Sequence, residues 1–303
     1  MKGLVVGFGS IGQRHARIMA ELGIDVAVVS RRDVAHDGTF TNIADALSTF
    51  APDYIVVASR THEHRGNIET LAEHGFAGRL LIEKPLYDQG HDHPSASLAN
   101  AKIAYNLRFH PALLRFREII AECHVHAVHA YTGSYLPDWR PGTDYRLGYS
   151  AKGDMGGGVL CDLSHELDYL LWIFGPWSRL TAIGGHYSDL EIDADDVFSL
   201  LFETARAPLV SLQLNYLDTM TTRDVMALTD RGSVRLDLVA GNVETPAGIE
   251  RFKIETDDTY RNQHRAMLND DHSIICGLSD GLEVMRMIDA SRDAARSGTW
   301  VSR

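Results

Sequence analysis

The sequence predicts an α/β fold, with an N-terminal doubly wound parallel sheet followed by a C-terminal α/β domain on an open, mostly antiparallel sheet. Two observations predict it. In residues 1–107, short apolar runs alternate with segments of helical periodicity, the order that produces a parallel sheet with helices on both faces. Beyond residue 107, apolar runs follow one another without intervening helices, which is typical of antiparallel strands.

The first domain is expected over residues 1–107 and the second over residues 108–303. A final helix, Leu278–Arg296, is assigned to the second domain, with packing against the first domain as the alternative. In the first domain, the predicted strands are Leu4–Val6, Asp25–Val29, Tyr54–Ala58, Leu80–Ile82 and Ile103–Tyr105, and the predicted helices are Ile11–Leu22, Ile43–Phe50 and Glu63–His74. In the second, helices are predicted at Pro111–Cys123 and Val159–Phe174, and strands at Val125–Tyr135, Leu180–Gly184, Asp196–Phe202, Leu209–Tyr216, Val225–Thr229 and Ser233–Asp237.

The composition is that of a globular chain for which neither nucleic acid nor a membrane is the expected partner. Of the 303 residues, 45% are hydrophobic and 23% charged, so each domain can bury a core of its own. The net charge of −12 disfavours nucleic acid and anionic membranes as partners. No apolar run approaches the roughly 18 residues that span a bilayer, and Met1 leads directly into the first strand, so no leader is expected. The widely spaced Cys123, Cys161 and Cys276 predict reduced thiols in a cytoplasmic protein.

A glycine-rich turn joins the first predicted strand to the first predicted helix. It consists of Gly7, Phe8, Gly9, Ser10, Ile11 and Gly12. Gly7 permits a tight turn, Gly9 lets the backbone approach a pyrophosphate, and Gly12 lets helix and strand pack closely. The N–H groups at the start of the helix attract phosphates. The turn predicts a Rossmann domain that binds a dinucleotide; a glycine turn without a ligand is the alternative.

The end of the second predicted strand indicates which dinucleotide is bound. An acidic side chain at this place would bind both ribose hydroxyls of NAD, but the chain has Ser30, Arg31 and Arg32. A hydroxyl and two guanidiniums suit a 2′-phosphate, because a guanidinium binds phosphate oxygens at two points. NADP(H) is therefore favoured. NAD(H), held by Asp33 or another group beside solvated arginines, is the alternative.

Two segments carry candidate catalytic side chains. Glu83 and Lys84 follow the apolar strand Leu80–Ile82, at the carboxyl end where open α/β sheets bind ligands. In the second domain, a triple glycine precedes the predicted helix that carries Asp162 and His165. Helical periodicity places these two side chains on one polar face, beside a leucine-rich apolar face. The alternatives are a solvated lysine and an ordinary polar helix face.

Together these motifs resemble those of the Gfo/Idh/MocA family of NAD(P)-dependent sugar and cyclitol oxidoreductases. The resemblance runs nearly end to end and includes the glycine turn, the segment Val56–His64, the Glu-Lys-Pro triplet, the triple glycine with the Asp and His that follow it, and a last helix that ends shortly before a final strand. It implies a Rossmann domain followed by an α/β domain whose open sheet makes a subunit contact with its outer face. A homodimer or homotetramer is therefore expected.

The resemblance also implies site residues. Lys84, Asp162 and His165 become the catalytic group. Besides the glycine turn and the Ser-Arg-Arg segment, the expected cofactor contacts are Ser59, His64, Glu83 and Lys84. For His64, a polar position at the start of the next helix is the alternative.

The spacing in the second domain departs from the family. Members usually have three residues between the Asp and the His, and this chain has two, Leu163 and Ser164. Hydride transfer from a carbinol carbon requires removal of the hydroxyl proton as the carbonyl forms. Neutral His165 is the expected base, Lys84 stabilises the charge on the oxygen, and Asp162 orients the imidazole or a second hydroxyl. Because the shorter spacing could rotate His165, Lys84 or a tyrosine is the alternative base.

Two loops are expected to hold a carbohydrate-like substrate. Trp139 and Tyr145 can pack on a sugar face, while arginines can hold an acidic group. The predicted substrate contacts are Lys84, Asn106, Arg108, Trp139, Arg140, Tyr145, Arg146, Asp162 and His165. A sugar acid or a nucleotide- or phosphate-bearing sugar fits this set. The alternative is that the arginines pair with Asp138 and Asp144.

No metal site is expected. His91 and His93 lie in a loop without a third or fourth ligand in sight, and His124, His126 and His129 fit the exposed face of a strand.

The sequence therefore favours an enzyme, an NADP(H)-dependent oxidoreductase that transfers hydride between nicotinamide and a secondary alcohol or ketone of a sugar or sugar-acid derivative. A redox-neutral epimerase, lyase or glycosidase that recycles its cofactor is the first alternative. A non-catalytic protein that senses the NADP/NADPH ratio is the second.

Overall fold

The structure, a computed structural model, describes residues 1–88 and 100–303. The chain divides into two compact units, the first with residues 1–109 and 256–282 and the second with residues 110–255 and 283–303. The domain boundary between residues 107 and 108 stays a prediction. The sequence pattern contains no signal for the membership of residues 256–282 in the first unit.

The first unit begins with alternating strands and helices. Its strands are continuous apolar runs, such as the four buried residues of Tyr54–Val57, because a parallel sheet is covered on both faces. The elements are β1 (Lys2–Val6), α1 (Ser10–Glu21), β2 (Asp25–Val29), β3 (Thr39–Phe40), α2 (Ile43–Thr49), β4 (Tyr54–Val57), α3 (His64–Glu73), β5 (Arg79–Ile82) and β6 (Lys102–Ile103).

The second unit begins with a capped helix and continues mainly as strands. The Nδ1 atom of His110 accepts the N–H of Ala112 at 3.2 Å, and Pro111 occupies the first helical turn, which suits a helix start. The elements are α4 (Pro111–Ala121), β7 (Val125–Gly133), α5 (Val159–Asp162), α6 (His165–Phe174), β8 (Trp177–Gly185), β9 (Val197–Thr204), β10 (Val210–Asn215), β11 (Thr222–Thr229), β12 (Gly232–Asp237), β13 (Asn242–Thr245) and β14 (Gly248–Arg251).

The remaining elements close the chain. They are α7 (Asp258–Leu268), β15 (Cys276–Gly277), α8 (Leu278–Ser297) and β16 (Val301–Ser302). The first unit contains α7 and β15, the second contains β16, and α8 begins in the first unit and continues in the second.

The sheet of the first unit has seven strands in the order β15-β6-β5-β4-β1-β2-β3. The strands pair in parallel, except β15, which is antiparallel to β6. From β1 the chain builds outward through β2 and β3 on one side, and through β4, β5 and β6 on the other. In such sheets ligands bind outside the carboxyl ends of the strands at this switch point.

The core of the first unit contains residues from this sheet and from two helices, α1 near the start of the chain and α7 near its end. The cluster contains Val5 of β1, Val28 of β2, Val56 of β4, Leu81 of β5, Met19 of α1 and Met267 of α7. Helix α7 is therefore an integral part of the first unit.

The sheet of the second unit has nine strands in the order β14-β13-β12-β11-β7-β10-β9-β8-β16. Neighbours are antiparallel, except β7 and β10, which are parallel. Helix α4 packs against β12 and β13. His124, His126 and His129 are exposed, the last two on β7. The two sheets confirm the predicted fold class.

Two predicted elements beside the site differ in the structure. The predicted helix Val159–Phe174 is interrupted between α5 and α6, where Leu163 has φ −96° and ψ 28°. Leu160, Leu163 and Leu167 keep the helical spacing of apolar residues across the break, so the sequence pattern hides it. The predicted strand Ile103–Tyr105 ends at Ile103, because residues 106–109 form a 3₁₀ turn.

Candidate cofactor and substrate sites

The glycine turn follows β1 at the carboxyl edge of the first sheet. Gly7 has φ +95°, and a Cβ there would lie 2.6 Å from the backbone of Ser59. A Cβ at Gly12 would lie 2.0 Å from the carbonyl oxygen of Gly7. Nothing lies within 4 Å of the Cβ position at Gly9. Two of the glycines are thus required by packing, while the third leaves the backbone open to a ligand.

Helix α1 begins in this turn without a side-chain cap. Gly9 is its N-cap residue, and the N–H of Gln13 donates to the carbonyl oxygen of Gly9 at 2.9 Å. The first N–H groups of a helix have no partner within the helix, and the helix dipole favours negative charge at that end. Phe8, Ser10 and Ile11 complete the turn. The turn fits the pyrophosphate of a dinucleotide.

Ser30, Arg31 and Arg32 follow β2 at the same edge. The Ser30 hydroxyl donates to the carbonyl oxygen of Arg32 at 3.0 Å and accepts its N–H at 3.1 Å. The Arg32 guanidinium donates to the carbonyl oxygen of Phe8 at 3.0 Å, so it lies at the glycine turn. The Arg31 side chain is 78% exposed and forms an ion pair with Glu63. One cationic group therefore lies at the turn, and the neighbouring Arg31 is accessible to an added phosphate.

Ser59 and His64 lie in and after the turn that follows β4. The Ser59 hydroxyl accepts the amide N–H of Asn67 at 2.8 Å. His64 is buried, with Nε2 3.2 Å from the carbonyl oxygen of Ser59 and Nδ1 3.2 Å from those of Pro85 and Leu86. Burial lowers its pKa. His64 is the first residue of α3, not its N-cap, and it links the turns that follow β4 and β5.

Glu83 and Lys84 form the turn after β5. The N–H of Glu83 donates to the carbonyl oxygen of Val57 at 2.8 Å, which continues the parallel pairing past the strand end. The Glu83 carboxylate is buried. Its Oε2 accepts the backbone N–H of Lys84 at 3.2 Å, and its Oε1 lies 2.8 Å from Nε2 of His15. The pattern of the sequence gave no reason to select His15.

Asn106 and Arg108, predicted to contact substrate, are buried in the first unit. The side-chain amide of Asn106 donates to the hydroxyl of Thr259 at 2.7 Å. Arg108 is 3% exposed and its guanidinium lies 3.1 Å from the carboxylate of Asp280. Both side chains therefore have structural partners within the first unit.

Asp162, at the end of α5, is buried among tyrosines of the second unit. The Tyr216 hydroxyl donates to Oδ2 of Asp162 at 2.7 Å, and Tyr149 also forms a side-chain hydrogen bond with Asp162. Burial, and then the neighbouring carboxylate, raises the pKa of both tyrosines well above the usual value. Neither phenol can therefore act as a base near neutral pH. His165 is half-buried and is the first residue of α6.

Asp195 positions the short helix that carries Asp162. Gly158 has φ +108°, and a Cβ there would lie 2.8 Å from the Asp195 carboxylate. That carboxylate accepts the N–H of Leu160 at 3.1 Å, and the Asp195 carbonyl oxygen accepts the N–H of Val159 at 2.9 Å. A distant acidic residue thus caps α5. Sequence reasoning missed Asp195, since the cap is long-range.

Three of the predicted substrate residues share one cavity in the second unit. It has a volume of about 430 Å³, within the usual range for small-molecule sites. Its lining includes Trp139, Arg140, Thr143, Asp144 and Tyr145.

The wall of this cavity is connected to Asp162. The ring of Trp139 packs edge-on against that of Tyr216, with centroids 5.2 Å apart, and the guanidinium of Arg140 lies 5.7 Å from the Tyr149 ring centroid. Both tyrosines bind Asp162. Tyr216 and Tyr149 therefore each contact one lining residue of the cavity and the candidate catalytic carboxylate.

Arg146 lies outside the lining of the cavity. Its guanidinium donates to the Asp144 carboxylate and to Glu191, each at 2.8 Å, in an exposed network. Arg146 therefore pairs with a local aspartate, which was the alternative to a substrate contact.

The part of the chain covered by the structure contains no cluster of three or more His, Cys, Asp or Glu side chains able to hold a metal ion. His91 and His93 lie outside the described residues. Among residues 1–88 and 100–303, no helix is both long and apolar enough to cross a membrane.

Two family models match the chain. One describes an oxidoreductase family with an NAD-binding Rossmann fold and matches residues 1–101. The other describes the GFO/IDH/MocA C-terminal domain and matches residues 113–235. The glycine turn, the parallel sheet and the first match define an NAD-binding oxidoreductase. With both models matched, the chain belongs to the Gfo/Idh/MocA family, which confirms the resemblance seen in its motifs.

Individual relatives are distant in sequence. The levoglucosan dehydrogenase of Pseudarthrobacter phenanthrenivorans is 23% identical over 177 residues, which cover 55% of this chain and 44% of that protein. The match therefore spans less than half of the relative.

Solved structures resemble the whole chain. GenD2 from gentamicin A biosynthesis, in complex with NAD, has a TM-score of 0.82 and 22% identity over 100% of this chain and 96% of that one. The WlbA dehydrogenase from Bordetella pertussis, in complex with NADH and UDP-GlcNAcA, has a TM-score of 0.81 and 17% identity over 100% and 98%. At these identities the likeness establishes the fold.

Proposed function

We propose that this chain is an NADP(H)-dependent oxidoreductase that transfers hydride between the nicotinamide and a secondary alcohol or ketone of a sugar or sugar-acid derivative. The observation that carries the proposal is the link between Asp162 and the cavity through Tyr216 and Trp139. A buried carboxylate held by tyrosine hydroxyls suits the binding of a substrate hydroxyl, and aromatic walls suit a sugar face.

The residues that would hold the cofactor lie along the carboxyl edge of the first sheet. When bound, the cofactor accepts or supplies the hydride. The glycine turn and the start of α1 would bind the pyrophosphate. Ser30, Arg31 and Arg32 would bind the 2′-phosphate, with Arg31 exchanging its contact with Glu63 for the phosphate. Ser59, His64, Glu83 and Lys84 are proposed as further contacts.

Lys84, Asp162 and His165 are the proposed catalytic residues. His165 would take the hydroxyl proton as the carbonyl forms, and Lys84 would stabilise negative charge that develops on oxygen. The raised pKa values of Tyr149 and Tyr216 argue against these tyrosines as the base. These pKa values favour His165 as the base. The two tyrosine hydroxyls instead serve as hydrogen-bond donors to Asp162.

The substrate is proposed to carry an acidic group. Three arginines were candidates for binding it. Arg108 and Arg146 have carboxylate partners, whereas the guanidinium of Arg140 lines the cavity and, among the described residues, forms no ion pair. A carboxylate or phosphate on the sugar would supply that partner.

Assembly and location belong to the same proposal. The protein is proposed to act in the cytoplasm as a homodimer or homotetramer that forms through the outer face of the nine-stranded sheet. Exposed apolar residues on that sheet, Ile183 and Leu201 among them, support the contact. Light scattering on the purified protein measures the subunit number.

Turnover with a panel of neutral sugars, uronic acids and sugar phosphates tests the proposal. Nicotinamide absorbance should change steadily with one class of substrate and stop changing in Asp162→Asn. Products formed without net cofactor oxidation or reduction would favour the redox-neutral alternative. Bound cofactor with no turnover across the panel would contradict the proposal.

A further inference from the structure

A chain of buried side chains runs through the first unit and ends on Glu83. The Tyr54 hydroxyl lies 2.8 Å from Nδ1 of His264, Nε2 of His264 lies 2.8 Å from Nδ1 of His15, and Nε2 of His15 lies 2.8 Å from Oε1 of Glu83. Tyr54, His15 and His264 are fully buried. The four residues, from β4, α7, α1 and the turn after β5, are called the Glu83 relay.

Counting donors fixes the direction of these hydrogen bonds. If the Tyr54 hydroxyl donates to His264, then His264 donates from Nε2 to His15, and His15 donates from Nε2 to the carboxylate. Every N–H and O–H of the relay then has an acceptor. In the reverse direction the Tyr54 hydroxyl proton would need another acceptor, and the described residues offer none. An unpaired buried donor is strongly unfavourable, so the protons are directed toward Glu83.

A cationic His15 would also leave the Tyr54 hydroxyl proton without an acceptor. Two N–H groups on His15 would force His264 to donate from Nδ1 to Tyr54, which again leaves the phenol proton without an acceptor. Burial and the neighbouring His15 lower the pKa of His264 well below its usual value, which keeps that ring neutral.

The far end of the relay meets the candidate catalytic turn. While Oε1 of Glu83 faces His15, Oε2 accepts the backbone N–H of Lys84 at 3.2 Å. The ring of Tyr260, on α7, packs edge-on against His15 with centroids 5.6 Å apart and limits its rotation. The Glu83 carboxylate therefore accepts one hydrogen bond from the relay and one from the backbone of Lys84.

We propose that Tyr54, His264 and His15 are positioning residues, which hold the Glu83 carboxylate in one orientation and thereby fix the turn that presents Lys84 to the substrate. This inference rests on the proposed function, since it assigns a purpose to Lys84. It explains why two histidines and a tyrosine from distant parts of the sequence meet in the core of a Rossmann unit, where apolar side chains would pack at lower cost.

Two substitutions of His15 separate positioning from packing. His15→Gln keeps a donor near the Nε2 position, facing Glu83, and loses the acceptor facing His264. His15→Asn keeps an acceptor, the amide oxygen, near the Nδ1 position that faces His264, and loses the donor to Glu83. Both remove the same ring from the same fully buried site, so both should lower the melting temperature to a similar extent.

Kinetics at equal folded fraction give the first readout. We expect kcat to fall about tenfold or more in His15→Asn and to stay near the wild-type value in His15→Gln, because a hydrogen bond to a charged group is lost only in the former. The KM for the sugar should change little in either. Equal losses of kcat in the two variants would overturn the proposal.

Nitrogen-15 NMR of the histidine rings gives a readout that needs no substrate. In the wild type, His15 and His264 should both carry their proton on Nε2, and Tyr54→Phe should release His264 from that single form. A proton on Nδ1 of His264 in the wild type would overturn the relay even if the enzyme were active. If the rings show the expected form but no sugar is turned over while cofactor binds, the proposed function fails rather than the relay.

Discussion

The glycine turn of the first unit and the Asp162 site of the second unit are built in opposite ways. The turn is a run of consecutive residues, and its geometry comes from backbone contacts of Gly7 and Gly12. Asp162 instead depends on side chains that are distant in sequence, Tyr149, Tyr216 and Asp195. A local motif forms the turn, whereas long-range packing of the second unit forms the Asp162 site.

The two sites should therefore respond differently to substitution. At Gly7 and Gly12, an added carbon meets closely packed backbone that must shift, so stability and cofactor binding should fail together. At Asp162, an isosteric change removes a charge or a hydrogen bond and leaves the packing, so activity should fall while the fold persists.

The largest effect is expected for Gly12→Ala. Its Cβ would lie 2.0 Å from the Gly7 carbonyl oxygen, so α1 must shift away from β1. We expect the free energy of unfolding to fall by about 2–3 kcal/mol and cofactor binding to be lost. Denaturant titration and calorimetry measure the two quantities.

Gly66→Ala is the matched control for that substitution. Gly66 also lies within a helix, and nothing lies within 4 Å of its Cβ position. Alanine there should raise stability by up to about 1 kcal/mol and leave cofactor affinity unchanged. If alanine were tolerated equally at Gly12 and Gly66, backbone packing would not determine the geometry of the glycine turn.

The next largest effect is expected at Asp162. Asp162→Asn should lower kcat/KM by about 10²–10⁴-fold, because a charged group at the reacting centre is replaced by a neutral one. The melting temperature should change little by comparison. Steady-state kinetics and thermal melting check this pair of outcomes.

Tyr216→Phe should have a smaller effect at the same site. Loss of one hydrogen bond to the Asp162 carboxylate should lower kcat/KM by about tenfold. The matched control is Tyr187→Phe, since Tyr187 is 63% exposed. Unchanged kinetics in Tyr216→Phe would mean that the tyrosines fill space around Asp162 without orienting it.

The most restricted effect is expected for Arg140→Ala, because it should be confined to one class of substrate. The KM for acidic sugars should rise by about tenfold, because a charge-assisted hydrogen bond is lost, whereas the KM for neutral sugars should stay constant. Arg146→Ala is the control, as Arg146 is held by Asp144 and Glu191 outside the lining of the cavity. Equal effects on acidic and neutral sugars would remove the support for an acidic substrate.

The contrast between the two sites also explains what the sequence could predict. The parallel strands and the glycine turn were predictable, because apolar runs and a contiguous motif specify them locally. Asp195, Tyr216 and the relay partner His264 were not, since each meets its partner only after distant segments have folded. The break between α5 and α6 was hidden for another reason, as Leu163 continues the apolar spacing between Leu160 and Leu167.

Helix α7 shows the same limit at the level of units. Its sequence lies among the last fifty residues and carries the helical period of any amphipathic segment, yet its Met267 joins the core of the first unit. Helical periodicity does not indicate against which of the two sheets a helix packs.

Calorimetric titration of the cofactor-free protein with NADP and with NAD measures the proposed preference for NADP. Arg31→Ala is compared with Arg296→Ala, since both side chains are 78% exposed and each pairs with one carboxylate. We expect tighter binding of NADP than of NAD, a difference that Arg31→Ala abolishes and Arg296→Ala preserves. Equal or tighter binding of NAD by the wild type would contradict the proposed preference.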